Sequence, residues 1–161
     1  MTVRITKPEI NIREKLTELQ GLAVEPIETP SFRANIASNQ LITDATYTLY
    51  NMQNVHWDNY NGFNSSDASY IIPHSGVYLI TFMQWWNSKP EGSSIMRIYV
   101  DGTAVTSEYH LTGQGSTMAS TSVLSLSAGQ KVQMYVFQNS GANQYIDNNN
   151  LNNGLSITKI A

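Results

Sequence analysis

From Ser31 onward the chain repeats one pattern: a short run in which apolar and polar side chains alternate, then a turn signal. Alternation with a period of two gives an extended strand one apolar face and one wet face, whereas a helix would scatter the same residues around its circumference. Nine segments carry the pattern: SFRANIA (31–37), TYTLY (46–50), SYIIP (69–73), GVYLITFMQWW (76–86), SIMRIYVDG (94–102), TAVTSEYHL (103–111), STSVLSLS (120–127), KVQMYVFQN (131–139) and GLSITKI (154–160). Asp101-Gly102 is a two-residue hairpin signal of the type I′ kind, and Ser127-Ala128-Gly129-Gln130 is a second turn. Short strands at this spacing imply an all-β, antiparallel jelly-roll sandwich over residues 31–161. No internal repeat is visible.

The first 30 residues are different in kind. Nine Asp, Glu, Lys or Arg residues lie within residues 1–28, against a dozen in the remaining 133. Thr6-Lys7-Pro8-Glu9 fits a capping box, with Ile5 and Ile10 at the hydrophobic-staple positions. Asn11 with Glu14 is a second possible start, and Gly21 is a natural stop. Ile12, Leu16 and Leu19 make a narrow apolar stripe at i, i+4 and i+7. So short a helix is marginal alone and needs a surface, either its own domain or another subunit. Gly21 to Pro30 then reads as a linker, because Pro26 and Pro30 hold the residues before them extended. The expected organisation is a short N-terminal α-helical arm (1–30) ahead of a β domain (31–161).

Several function classes are disfavoured. The net charge of −3 argues against nucleic acid, whose phosphates call for a basic surface. With no Cys, no disulfide framework, thiolate metal site or Cys nucleophile is possible. No apolar stretch approaches the ~20 residues of a membrane span, and MTVRITKPEI lacks the apolar run of a secretory signal. A soluble protein made in a cytosol is expected. The β domain's surface falls to Asn, Gln, Ser, Thr and Tyr, which titrate little and are little screened by salt.

Five segments, in order, resemble the complement q/tumour necrosis factor jelly-roll superfamily: YNMQNVHWD (50–58), SYIIPHSGVYLITF (69–82), IYVDGTAV (98–105), TSVLSLSAGQKVQMYVF (121–137) and NNGLSITKI (152–160). The aromatic–Pro–Gly-Val-Tyr run of the second is the strongest. Two positions depart from the pattern: Gln130 stands where the family often has Asp, and Asn152 where an aromatic is usual. The resemblance implies a homotrimer packed about a threefold axis, with Tyr78, Phe82, Tyr135 and Phe137 as candidates for the axis-lining strands; the competing reading makes them ordinary core. Separately, ITKPEINIREKLTEL (5–19) resembles the leading segment of structural proteins of marine tailed bacteriophages. The combination implies a virion protein: an anchor and a display domain.

Candidate chemistry is sparse. His56, His74 and His110 fall in no nucleophile-elbow, zincin or phosphate-loop motif. TGQGST (112–117) lacks the Lys of a phosphate loop and reads as a flexible loop. His56-Trp57-Asp58 reads as the structural base of a loop, and Asp58, Asp67, Asp101, Glu108 and Asp147 cannot be paired as glycosidase carboxylates from sequence. The Asn-rich NQYIDNNNLNN (143–153) has one carboxylate, thin for calcium, although some relatives bind that ion near the trimer apex. NSS (64–66) fits a glycan-acceptor pattern but reads as a loop. Trp85, Trp86, Tyr60 and Tyr109, set among amides, are candidate glycan contacts; alternatively Trp85 and Trp86 straddle a strand, one inward and one outward.

These readings converge on an expectation of no catalytic residues, metal or cofactor, and of a trimeric capsid decoration (cement) protein on the outer surface of a bacteriophage head. Its arm, through Ile5, Ile10, Ile12, Leu16 and Leu19, docks on the major capsid protein. The alternative is a receptor-binding tip of a head or tail fibre that recognises a host-surface glycan.

Overall fold

The computed structural model describes residues 13, 15, 29–87, 92–112, 117–148 and 153–161. Of residues 1–28 only Arg13 and Lys15 are described, so the expected helix, its staple and its stripe (Ile5, Ile10, Ile12, Leu16, Leu19) lie outside the described residues.

Thirteen strands follow: β1 (Ser31–Asn35), β2 (Gln40–Ile42), β3 (Thr48–Leu49), β4 (Asn54–Asp58), β5 (Phe63–Asn64), β6 (Ser69–Ile71), β7 (Gly76–Trp85), β8 (Gly92–Val100), β9 (Thr103–Thr112), β10 (Thr117–Leu126), β11 (Lys131–Gln138), β12 (Gln144–Ile146) and β13 (Gly154–Lys159). Each of the nine expected segments holds one of them. The four not expected, β2, β4, β5 and β12, are two to five residues long. β4 buries no side chain fully, so its sequence has no reason to alternate.

Two sheets stack. One has the order β10-β7-β13-β1-β4, the other β5-β6-β11-β8-β9 with β3 also on β11, and β2 and β12 form a separate ribbon. All pairs are antiparallel, as a jelly roll requires. Phe32, Tyr78, Ile80, Phe82, Leu155 and Ile157 of the first sheet meet Tyr70, Met96, Ile98, Val132, Met134 and Val136 of the second in one core. Aromatic contacts lock it: Phe32 stacks on Tyr70 at 4.6 Å, and Tyr50 meets Phe82 edge-on at 4.7 Å.

The β8–β9 hairpin turns at Asp101-Gly102 with φ of +50° and +79°, the two positive values a type I′ turn demands. Gln130, the departure from the family pattern, closes its own turn. Its Oε1 accepts from Ser127 N at 2.8 Å while its Nε2 donates to Asp101 Oδ2 at 3.1 Å, tying the two turns together.

The start of the β domain is fastened. Asn59 donates to Thr29 O at 2.9 Å and accepts from Ser31 N at 2.8 Å, and Lys159 N donates to Pro30 O at 2.9 Å. Ala161 O accepts from Val77 N at the same end. At the opposite end, β1 runs into the 36–39 loop and the β2–β12 ribbon, which Asn148 staples through Asn39 Oδ1 at 2.9 Å.

Candidate functional site

Strand alternation decides which expected residues can meet anything outside the chain. On β7, Tyr78 and Phe82 point inward and are fully buried, while Val77, Leu79, Thr81, Met83 and Trp85 point outward. Tyr78 and Phe82 are therefore core within a single chain, not a surface for a threefold partner. The Tyr78 hydroxyl is spent on His74 O at 2.6 Å, and burial raises its pKa above the usual phenol value. Tyr135 and Phe137 sit on β11, in the other sheet, and face outward half-buried. The four do not form one strand pair.

The outer face of β7 and β10 is charge-free. These two strands pair along ten positions, from Gly76–Leu126 to Trp85–Thr117, and contain no Asp, Glu, Lys, Arg or His. Leu79 and Val123 are direct cross-strand partners, and both are exposed, Val123 at 59%. Thr81, Thr121, Ala119 and Met83 extend the patch, and Thr158 and Ser156 of β13 continue it. β10 is also a sheet edge, ten residues long, with neither Pro nor charge to block further pairing. Sequence inspection missed this face because Ser, Thr and Val alternation reads as an ordinary strand. Its one available signal was twenty strand residues without a charge.

The outer face of the second sheet is aromatic. Tyr47 lies 4.9 Å from Phe137 and Tyr99 lies 4.6 Å from Tyr135, ring centre to ring centre. The Arg97 guanidinium sits 4.3 Å over Tyr47, and its Nε donates to Ser107 Oγ at 3.3 Å. Tyr109 is exposed, with its hydroxyl 2.6 Å from Ser93 Oγ. At the margin Lys131 Nζ donates to Asp67 at 2.6 Å. That hydrogen bond, with one from Ser69, holds the Asp67 carboxyl below its ordinary pKa, and Asp67 raises Lys131 in return.

The expected glycan contacts do not converge. Trp86 is core, 1% exposed, and bridges Ile146. Trp85 is half-buried on the first sheet's outer face, its backbone held by Asn153 and Asp147. Tyr109 belongs to the second sheet, and Tyr60 packs edge-on against His74.

Three of the candidate carboxylates hold turns and strands in place. Asp58 accepts from Tyr60 N and Phe63 N, which makes it the base of the 59–63 loop as the sequence suggests. Asp101 accepts from Lys131 N, and Asp67 is paired as above. Among the described residues no group of three or more His, Cys, Asp or Glu could hold a metal ion. His56 is exposed on β4, His74 lies before β7, and the side chain of His110 lies outside what is described.

The fold has known counterparts. The globular domain of zebrafish complement 1qA protein superposes with a TM-score of 0.57 at 16% identity, covering 83% of this chain and 98% of that one. Murine APRIL superposes at 0.64 and 12% identity, covering 83% and 100%. Eiger TNF from S. frugiperda superposes at 0.59 and 12% identity, covering 85% and 94%. The chain has a complement q/tumour necrosis factor-like jelly-roll fold. No family model matches its sequence, and no curated protein does. In the five-stranded sheet the charge-free outer face belongs to β7 and β10, while Arg33 of β1 lies over Trp57 further across it, and the aromatic face belongs to the partner sheet.

Proposed function

We propose that this chain is a homotrimeric decoration protein of a bacteriophage head, with an N-terminal arm that docks on the major capsid protein and a jelly roll that stands outward. The observation that carries the oligomeric part is the charge-free β7–β10 face with its exposed Leu79–Val123 pair, beside the β10 edge of the sheet. An exposed Leu–Val pair on a charge-free strand face beside a sheet edge favours association, because exposed apolar surface and unpaired backbone are both costly in water. The complement q/tumour necrosis factor-like fold agrees with a trimer. The arm-and-display part rests on the resemblance of residues 5–19 to phage virion proteins. It is supported by the fastening of Thr29 and Pro30, the residues that follow the arm in the chain, at one end of the sandwich. Three arms per trimer would multiply a weak single contact.

The test is binding of the full chain and of a form lacking residues 1–28 to purified heads devoid of the protein. Saturable, arm-dependent binding that raises the heat resistance of the heads is the expected result. Failure of the full chain to bind heads sinks the decoration role and leaves the receptor-binding tip. An unfolded arm-deleted form would mean that the arm belongs to the sandwich itself.

A further inference from the structure

The end of the sandwich opposite Pro30 holds a cleft of about 210 Å³ lined by Ile36, Ser38, Asn39, Gln40, Leu41, Asn51 and Gln53. Its construction is specific. Buried Ile36 forms the floor. Gln40 braces the two walls: its Nε2 donates to Leu49 O at 2.6 Å and its Oε1 accepts from Asn51 N at 3.0 Å. Gln53 N donates to Asn35 O and fixes the second wall to the end of β1, while Asn39 Oδ1 is held by Asn148 N. The amide group of Asn39, the carboxamides of Asn51 and Gln53 and the Ser38 hydroxyl are left exposed at the cleft. No lining residue carries a charge. Exposed Leu41 of the lining is the cross-strand partner of Tyr145, itself 48% exposed.

We propose that this cleft is a binding site for one ring of a neutral saccharide. A charged ligand would be desolvated there with no countercharge to receive it. Carboxamides offer both donors and acceptors to hydroxyls that are themselves both, so each side satisfies the other. Leu41, with the exposed Tyr145 ring beside it across the ribbon, supplies apolar surface for the C–H face of a sugar ring. The volume lies below the ~300–1,000 Å³ of sites for drug-sized ligands, which fits one ring and not a chain of several. The site differs from the tryptophan-based one expected from sequence and does not depend on whether the chain decorates a head.

The experiment is a two-dimensional amide NMR titration of the full chain with glucose, galactose, mannose and N-acetylglucosamine separately, taken to tenth-molar sugar, with sialic acid as the charged comparison. The expected result is saturable shifts of the Asn39, Asn51 and Gln53 side-chain amides and of the Leu41–Tyr145 backbone with at least one neutral sugar. Asn51→Ala and Gln53→Ala, both at exposed positions, should each weaken that binding about five- to tenfold, the loss of one or two neutral hydrogen bonds. Absence of saturable shifts with all four sugars overturns the proposal. So does binding of sialic acid alone, or binding that both variants leave unchanged.

Discussion

Phe82→Ala is the perturbation that most directly separates core from subunit contact. Phe82 is fully buried on β7, flanked by Ser120 of β10 and Leu155 of β13, with its ring 4.7 Å from that of Tyr50, also fully buried. Truncating a buried Phe to Ala costs ~3–5 kcal/mol, the sum of lost transfer energy and the cavity left behind. Collapse around the gap is hindered, because strands pair with β7 on both sides, and an aromatic contact worth ~0.5–1.5 kcal/mol is lost as well. The upper part of the range is therefore expected. Set against a typical domain stability of ~5–15 kcal/mol, that is a third or more of the total. In urea, with a slope of ~2 kcal/mol per molar, the unfolding midpoint of the full chain should fall by about 2 M. The fall should be the same at two protein concentrations tenfold apart, since the lost contact lies within one chain and mass action on the oligomer is unchanged. A loss below ~1 kcal/mol, accompanied by dissociation into folded monomers, would refute the placement of Phe82 in the core.

Three further outcomes follow from the geometry. Val123→Glu with Leu79→Lys changes only exposed side chains, so the domain should stay folded by circular dichroism while sedimentation shows the assembly falling to monomer; an unchanged oligomer would move the interface elsewhere, the aromatic face first. Gly154 holds φ +146° with its Cα beside Ala34 O, where an added Cβ would stand 3.0 Å from that oxygen; Gly154→Ala should cost ~1–3 kcal/mol in thermal or urea melts, and a neutral result would contradict the close approach of β13 to β1. Asp67 is held below its ordinary pKa by Lys131, so its stabilisation is present above the unfolded value of ~3.9 and fades as pH falls through the folded one; Lys131→Met should flatten that acid limb of the urea midpoint, and an identical limb in both proteins would remove the pair as its cause.

Much of the fold was legible because period-two burial writes itself into composition. β7 and β11 bury every second residue, and both stand out as alternating runs in the sequence. The Asp101-Gly102 turn was legible for an equally local reason: two consecutive positive φ angles suit few residue types. The short strands were not. β2 and β12 hold together by pairing with each other, over a separation of about a hundred residues, and no local pattern records that.

The sequence by itself determined the fold class, the absence of cysteine chemistry and the crowding of charge into the first 28 residues. Only the tertiary structure decided which face of each strand looks outward. Alternation says that two faces differ but not which neighbour each will meet. Tyr78, Phe82 and Trp86 were thus drawn into the core, and the plain Leu79–Val123 pair was left exposed. Only the structure brought Asn51 and Gln53 across from Ser38 and Asn39. Those residues face one another because Gln40 spans the gap through two side-chain hydrogen bonds to the backbone, which no residue pattern in the chain records.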